Sequence, residues 1–157
     1  MAKKTFNEKL LTPQNPQIID MSNKDNFVEK YGGTKMLIAT PIQYQNIMKD
    51  IPAGEIITSD IMRAYLSESH QADYTCQLTA GIFINIVAKA SKEREEVGTG
   101  NLIPYWRTLK QNGELNEKYP DGIESQKKLL ESEGHTIIQK GKKFFVKDYK
   151  EKLAVLD

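Results

Sequence analysis

The side chains best suited to binding a flat ligand lie close together in one segment of the chain. Tyr105, Trp106 and Arg107 are consecutive, and Trp106 is the only tryptophan among the 157 residues. Tyr119 follows in a turn-rich stretch. Aromatic rings beside one guanidinium are suited to stacking on a nucleobase, which contributes roughly 1–3 kcal/mol per stacked base. The alternative is structural, with the rings filling a core and Arg107 binding a loop carbonyl or a carboxylate.

Side chains for other kinds of chemistry are few. Cys76 is the single cysteine, so the sequence predicts neither a disulfide nor a cysteine-based metal site. His70 and His135 have no nucleophile or ligand partner near them in the sequence, and we interpret both as surface or capping histidines. The acidic residues show no paired spacing, and there is no glycine-rich phosphate loop. We therefore expect no metal, no cofactor and no catalytic site.

A helix after the aromatic segment is predicted to hold that segment in place. Asp121 and Glu124 have the spacing of a capping box, so the helix is expected to begin at Asp121. Ile123 and Leu130 fall at helical spacing, and Gly134 is placed to end the helix. The aromatic segment would then lie between a loop and a helix.

Two helices joined by a short polar turn are predicted before the aromatic segment. The first is expected over residues 59–69 and the second over residues 75–92. Apolar side chains recur every four residues along the second helix, at Leu78, Ile82 and Ile86. This spacing predicts an apolar face that packs on the core and includes Leu78.

The two ends of the chain have different patterns. Residues 136–146 contain two β runs around Lys140-Gly141-Lys142, a hairpin signal, and a basic hairpin after two helices is typical of a wing. Residues 1–35 are expected to form a polar arm that packs loosely on a domain spanning residues 36–157. The charged run 93–96 is interpreted as a solvated helix end.

Three blocks of the sequence resemble the alkylguanine-DNA alkyltransferases. Residues 103–109, IPYWRTL, match the active-site motif I-P-C-H-R-V-V, and residues 51–61 match I-P-x-G-x-V-x-T-Y-G-x-I. The family's loop and helix pattern is matched by Gly113, Leu115, Tyr119, Gly122, Lys127, Leu129, Leu130, Glu133 and Gly134. Residues 77–81, QLTAG, correspond more weakly to the recognition-helix motif A-R-A-V-G.

The chain departs from this pattern at the positions that carry the family's chemistry. Tyr105 stands where the family has its acceptor cysteine, and Trp106 stands where it has the activating histidine. The tyrosine that presses on the DNA backbone in the family is replaced here by Ser59 or is deleted. Leu78 occupies the position of the arginine that enters the base stack. The closest functional parallel is the alkyltransferase-like proteins, which lack the cysteine and bind damaged DNA without repairing it.

The resemblance implies an α+β, mainly helical fold: a winged helix-turn-helix with a small β-hairpin wing and an N-terminal arm. It also implies a non-catalytic protein that binds DNA, including alkylated or mismatched duplex. The implied lesion pocket consists of Tyr105, Trp106, Arg107 and Tyr119, and the implied DNA contacts are Ser59, Leu78, Thr79, Gly81, Lys140, Lys142 and Lys143. A leucine at position 78 could wedge between bases, as apolar side chains do in minor-groove binders.

Charge and composition leave a second function open. The net charge is +1, and residues 36–100 carry five basic against eight acidic side chains, so the chain has no broad basic surface for phosphates. The alternative is a diverged winged-helix module that binds a protein or a small ligand and no DNA. No apolar run is long enough to span a membrane, and the start lacks the apolar core of a signal peptide, so we expect a cytoplasmic monomer.

The substitution of the acceptor cysteine predicts that the protein transfers no alkyl group. A phenol with a reference pKa of about 10 and no neighbouring histidine is a poor nucleophile at neutral pH. Incubation with a methylated-guanine duplex is therefore expected to leave the intact protein mass unchanged. A stable gain of one methyl group on Tyr105 or Cys76 would contradict this prediction.

Overall fold

The computed structural model describes residues 4–156 and is a mixed α+β fold built mainly from helices, as predicted. The helices are α1 (Phe6–Leu11), α2 (Asp25–Tyr31), α3 (Pro41–Met48), α4 (Ser59–Ser69), α5 (Gln77–Val97) and α6 (Gly122–Ser132). The strands are β1 (Gln17–Asp20), β2 (Lys35–Ile38), β3 (Ile57–Thr58), β4 (Tyr74–Thr75), β5 (Thr108–Leu109), β6 (Ile137–Lys140) and β7 (Lys143–Val146). Short 3₁₀ turns occur at Tyr105–Arg107, Gln111–Gly113 and Tyr149–Lys152.

Helix α5 is the central element, and α1, α3 and α4 all pack against it. Its buried face consists mostly of small side chains together with Ile84 and Val87. Because Ala80, Ala88 and Ala90 are also buried on this helix, neighbouring helices can approach its backbone closely. The core therefore lies around α5, with Leu37, Tyr44, Met48 and Met62 among its fully buried side chains.

The predicted helix pair is present as α4 and α5. Helix α4 has the predicted bounds, and the connection to α5 contains β4, which pairs in parallel with β2. The Thr75 hydroxyl donates a hydrogen bond of 2.7 Å to the Arg63 carbonyl, which ties this connection back to α4. Helix α5 ends at Val97, later than the predicted end near Lys92.

The predicted hairpin is present as β6 and β7. The strands pair antiparallel from Ile137 opposite Val146 to Lys140 opposite Lys143, and Gly141 has a φ of 63° in the turn. The hairpin packs on a second, smaller core whose buried members are Ile56, Leu109, Leu115, Leu130 and Val146. This core joins the hairpin to α6 and to β5, so the wing is fixed to the body of the protein.

The expectation of a loosely packed N-terminal arm is wrong for the described residues. Leu10 of α1 is buried in the main core, and β1 pairs antiparallel with β2. The Glu93 carboxylate accepts hydrogen bonds from the backbone amides of Phe6 at 2.9 Å and Asn7 at 3.0 Å. The Arg94 guanidinium donates to the Asn7 side chain at 2.6 Å. The charged run therefore anchors α1 rather than forming only a solvated helix end. The division at residue 35 stays a prediction, and residues 1–3 lie outside the described part.

The predicted capping box at the start of α6 does not form. Asp121 has a left-handed backbone with φ of 64°, and its side chain makes no capping hydrogen bond. A capping side chain needs an extended backbone at that position, which Asp121 lacks. Its carboxylate instead pairs with the Lys92 ammonium at 3.1 Å, which joins the start of α6 to α5.

Candidate nucleic-acid interface

A cleft of about 440 Å³ lies between the α4–α5 pair and the loop 109–119. We call it the helix–loop cleft. Ser59 and Arg63 line it from α4, and Leu78 and Gly81 line it from the first turns of α5. Three of the predicted contact residues, Ser59, Leu78 and Gly81, are thus brought together along one cleft. Thr79 is not among the lining residues, and its hydroxyl is buried.

Leu78 is exposed, which corrects the prediction that it packs in the core. Its side chain is 73% exposed, and that of Ile82, one turn later, is 48% exposed. The buried stripe of α5 runs instead through Ala80, Ile84 and Val87. The four-residue spacing of Leu78 and Ile82 is real, but it marks an apolar stripe that faces solvent at the mouth of the cleft. Gly81 lies beside this stripe, and a Cβ there would meet no atom within 4 Å.

The loop that forms the other wall is fixed by specific contacts. The Asn116 side-chain amide donates to the Asn85 side chain at 2.9 Å, which ties the loop to α5. Gly113 has a φ of 81°, and a Cβ there would lie 2.7 Å from the Tyr149 ring, so a larger residue would displace the ring. The Gln126 side-chain oxygen accepts a hydrogen bond of 2.7 Å from the Asn116 backbone amide. These contacts give the cleft a defined shape without a ligand.

Several polar residues of this cleft were missed by the sequence analysis. Lys110, Asn112 and Asn85 line it together with Arg63. The family pattern locates the loop through Gly113, but polar side chains in a loop have no periodicity that would show which of them face a cleft. Only the loop's position could have been inferred.

The lysines around the helix–loop cleft are partly neutralised. The Lys110 ammonium lies 3.0 Å from the Glu117 carboxylate, and the Lys143 ammonium lies 4.0 Å from that of Glu114. Burial alone would raise the pKa of Glu117, but hydrogen bonds from its own backbone amide and from Lys110 bring that pKa below its ordinary value. Lys140 lies over the Phe145 ring at 5.6 Å. The lining residues of the helix–loop cleft include none of the predicted hairpin contacts Lys140, Lys142 and Lys143. Lys142 and Lys143 line a neighbouring cleft instead, together with the acidic Glu114 and Glu117.

The four residues predicted to form one pocket are divided between two clefts. Tyr105 and Trp106 line a second cleft of about 600 Å³ beside α6, together with Arg107, and we call it the tryptophan cleft. Tyr119 lines the helix–loop cleft instead. The Tyr105 ring contacts both other rings edge-on, with its centroid 5.5 Å from that of Trp106 and 5.3 Å from that of Tyr119. The two tyrosines therefore form the partition between the clefts.

Both tyrosines of this partition are inert as nucleophiles. Tyr105 is 6% exposed and Tyr119 is 3% exposed. Burial raises the pKa of the Tyr105 phenol above its ordinary value of 10, and it raises the pKa of Tyr119 as well. The Tyr119 hydroxyl also donates to the Thr108 carbonyl at 2.8 Å. Neither phenolate is available near neutral pH.

Arg107 is engaged in structural contacts. Its Nε donates to the Glu133 carboxylate oxygens at 3.0 and 3.1 Å, and its Nη1 donates to the Ile51 carbonyl at 2.7 Å. Its guanidinium carbon also lies 5.3 Å from the centre of the Trp106 ring. A loop carbonyl and a carboxylate are both bound, which supports the structural interpretation of Arg107. The tryptophan cleft therefore has one wall held by an ion pair.

The histidines lie in different environments. His135 is 5% exposed, so the expectation of a surface histidine is wrong there, and burial lowers the pKa of its ring below the ordinary value. His70 follows the last turn of α4, and its Nε2 lies 2.8 Å from the Gln43 side-chain nitrogen. Among the side chains that the structure describes, which leave out that of Asp25, no three His, Cys, Asp or Glu residues are grouped to hold a metal ion. Across the same residues, no helix is both long and apolar enough to cross a membrane.

The architecture that positions these clefts is that of a known class of fold. A helix pair and the loop behind it line the helix–loop cleft, and a β hairpin follows them in the chain, in the order predicted from the sequence. S. pombe Atl1, in a crystal structure of its complex with damaged DNA containing O6-carboxymethylguanine, is similar to this chain with a TM-score of 0.51 and 16% sequence identity. The match covers 74% of this chain and 94% of that one.

The chain therefore has the alkyltransferase-like fold. A second S. pombe ATL structure in complex with DNA matches with a TM-score of 0.48 and 19% identity over the same shares of the two chains. No protein-family model and no curated protein matches the sequence. The similarity thus lies in the fold rather than in closely shared sequence.

The Arg107–Glu133 pair predicts a pH-dependent contribution to stability. Burial would raise the pKa of Glu133, but the hydrogen bonds and the positive charge of Arg107 outweigh burial, so that pKa lies below the ordinary value of 4.5. The ion pair therefore stabilises the folded protein fully at pH values above 4.5, and this stabilisation is lost as the pH falls through the folded-state pKa of Glu133. Glu133→Gln is expected to lower the free energy of unfolding by about 1–3 kcal/mol at neutral pH in urea denaturation.

The difference between Glu133→Gln and the unmodified protein should narrow in acid, because the substituted amide does not titrate. Glu131→Gln changes an exposed glutamate two residues earlier, in the last turn of α6, and serves as the matched control that should change little at any pH. A constant difference between the Glu133 variant and the unmodified protein from neutral to strongly acidic pH would exclude this account.

Proposed function

We propose that this protein binds DNA without catalysis and receives an alkylated or unpaired base in the helix–loop cleft. The observation that carries the proposal is the exposed Leu78 at the mouth of that cleft, on the first turn of α5. Leu78 forms an exposed apolar stripe with Ile82, and a contiguous apolar surface beside a cleft is typical of a binding site. Atl1, which has a similar fold, was crystallised with damaged DNA, and this supports DNA as the partner.

Leu78 is placed to act as a wedge. Apolar side chains of minor-groove binders insert between base steps and partly unstack them. The exposed Gly81 next to it lets a DNA backbone approach α5 without a steric barrier. An extruded base would then find the helix–loop cleft directly beside the wedge, with Arg63 and Asn112 as polar partners. Extrusion costs a few kcal/mol and is cheapest at damaged or mismatched sites, so such sites are the preferred ligands.

The residues near the cleft favour binding over transfer. Tyr105, at the position of the family's acceptor cysteine, is buried in the partition behind the cleft, where its phenol has a raised pKa. Cys76 is the single cysteine and precedes the first residue of α5, and it does not line the helix–loop cleft. No thiolate is therefore placed to attack a base held in the cleft.

A protein-interaction function is favoured by a different observation. The acidic partners of Lys110 and Lys143 weaken the positive field at the cleft, and Leu78 and Ile82 form an exposed apolar stripe that could bind a protein surface.

The two functions are distinguished by titrating a labelled duplex, with and without O6-alkylguanine, into the protein and measuring anisotropy. Saturable binding with a preference for the lesion duplex supports the DNA-binding function. If no duplex binds even at low salt, the protein-interaction function is supported instead.

Leu78→Ala is expected to weaken binding to the lesion duplex by about tenfold, because the wedge that opens the base stack is removed. The matched control is Leu102→Ala, which removes a leucine that is 55% exposed and lines the tryptophan cleft. That variant should bind as the unmodified protein does. If the Leu102 variant lost binding while the Leu78 variant bound normally, the binding site would be in the tryptophan cleft instead.

The hairpin lysines are expected to supply the phosphate contacts. Replacing Lys140, Lys142 and Lys143 with Ala should weaken binding to all duplexes alike and flatten the slope of log affinity against log salt by up to about three units. The control replaces Lys4, Lys49 and Lys128, three exposed lysines outside the hairpin, and should leave that slope unchanged. A hairpin variant with an unaltered salt slope would place the phosphate contacts elsewhere.

A further inference from the structure

A series of side-chain amides connects the helix–loop cleft to the main chain behind it. The Gln126 side-chain oxygen accepts from the Asn116 backbone amide at 2.7 Å, and the Gln126 side-chain nitrogen donates to the Trp106 carbonyl at 3.1 Å. Because a backbone N–H only donates and a carbonyl only accepts, exchanging the oxygen and nitrogen of Gln126 would break both bonds. Two backbone groups therefore fix the orientation of Gln126, and Gln126 holds Asn116 in place.

The side-chain amide of Asn116 also has a single possible orientation. Its Oδ1 accepts a hydrogen bond of 2.9 Å from the Lys118 backbone amide. Its Nδ2 therefore points the other way, where it donates to the Asn85 Oδ1 at 2.9 Å. A reversed Asn116 amide would set its NH₂ group against the Lys118 N–H, two donors without an acceptor. Since Asn116 is buried, water is not at hand to replace the lost bonds.

The fixed Asn116 amide in turn fixes the polarity of Asn85. Asn85 presents its oxygen to the loop, so the two N–H donors of its Nδ2 are left for the helix–loop cleft, which Asn85 lines. Within the described part of the chain, no group accepts a hydrogen bond from this nitrogen, and it is not buried. Arg63, whose guanidinium also only donates, lines the same cleft. The cleft therefore offers a base fixed donors.

Asn85 lies where the leading edge of an extruded base would arrive. It stands two helical turns beyond Leu78, about 10 Å further along α5 and on nearly the same side of the helix. A base that enters beside Leu78 stays attached to its sugar at the mouth of the cleft, so the edge farthest from the sugar enters first. That edge is the Watson–Crick edge, through which extruded bases are read.

We propose that Asn85 makes the helix–loop cleft selective for a base whose Watson–Crick ring nitrogen is a hydrogen-bond acceptor. This inference rests on the proposed function and names the residue that reads the base. Guanine has a proton on N1 and would set it against the fixed donor of Asn85. O6-alkylguanine has no proton on N1, so its lone pair accepts from the Asn85 Nδ2. This distinction does not depend on the size of the alkyl group.

The first test compares two lesions that differ at one ring atom. O6-methylguanine and its 1-deaza analogue have the same shape, but the analogue has a C–H group in place of the N1 lone pair. Each is placed opposite an abasic site, so that extrusion breaks no base pair, and binding is measured by anisotropy. The unmodified protein is expected to bind the analogue about tenfold more weakly, because one hydrogen bond is lost and a donor is left unpaired.

This comparison separates the inference from the function on which it rests. Equal affinities for the two lesion duplexes would overturn the role of Asn85 and leave the proposed function intact. Absence of binding by either duplex would overturn both. Because the comparison uses the unmodified protein, it decides the inference even where a variant fails to fold.

Asn85→Asp reverses the polarity that the cleft presents while keeping the shape of the side chain. The carboxylate still accepts from Asn116, but it offers the base an oxygen in place of N–H donors. This variant is expected to lose the tenfold preference for O6-methylguanine over the 1-deaza analogue. Gln111→Glu, which adds the same charge to the same cleft, is the matched control and should weaken binding to both duplexes alike. A preference kept by the Asn85 variant, or lost in the Gln111 variant as well, would contradict the inference.

Asn116→Asp tests the same polarity without changing Asn85. A carboxylate at position 116 still accepts from the Lys118 amide but cannot donate to Asn85, so Asn85 turns its nitrogen to the carboxylate and its oxygen to the cleft. This variant is therefore also expected to lose the preference, with its folding checked by urea denaturation. If Asn116 only supports the loop, the variant will bind both duplexes more weakly with an unchanged ratio, and that result would overturn the inference.

Discussion

The burial of one face of α5 is the constraint on which the rest of the structure depends. Ala80, Ile84 and Val87 pack into the core, and burying each of the two larger side chains contributes roughly 1.5–3 kcal/mol. Because an α-helix has 3.6 residues per turn, this buried stripe fixes the direction of every other side chain on α5. Leu78 must then point into solvent at the mouth of the helix–loop cleft. The exposed leucine is a consequence of how the core packs.

The other walls of the site are fixed by contacts that differ in kind. The loop 109–119 is held by the Asn116–Asn85 hydrogen bond and by the close approach of Gly113 to the Tyr149 ring. The Arg107–Glu133 ion pair fixes the aromatic segment behind the loop, where Tyr105 separates the two clefts. A protein with this arrangement keeps a base-sized cleft without the groups that alkyl transfer requires. Under the proposed function, this cleft binds a base although Tyr105 and Trp106 stand where the resembled family has its acceptor cysteine and histidine.

The sequence predicted the parts of the fold that depend on local pattern or on family resemblance. The bounds of α4 and the β6–β7 hairpin follow from periodicity and turn signals, whereas the α+β class is implied by the family resemblance, and the structure confirms all three. The side-chain cap expected at the start of α4 does not form. Periodicity predicts a buried stripe that includes Leu78, but it shows only that an apolar face exists, not which of two apolar faces is buried. The capping box at Asp121 failed because a left-handed backbone there depends on tertiary contacts. The separation of Tyr119 from Trp106 likewise depends on packing between segments distant in sequence.

The central claim is that a damaged base enters the helix–loop cleft, and photo-crosslinking tests it most directly. A duplex is prepared with guanine whose O6-alkyl group carries a diazirine, and the crosslinked peptides are identified by mass spectrometry after irradiation of the complex. The account predicts crosslinks to residues 78–85 of α5 and to residues 109–119 of the loop. Because the protein is expected to prefer the lesion, part of these crosslinks should remain when an undamaged duplex is added in large excess. Crosslinks confined to residues 102–107, in the tryptophan cleft, would contradict it.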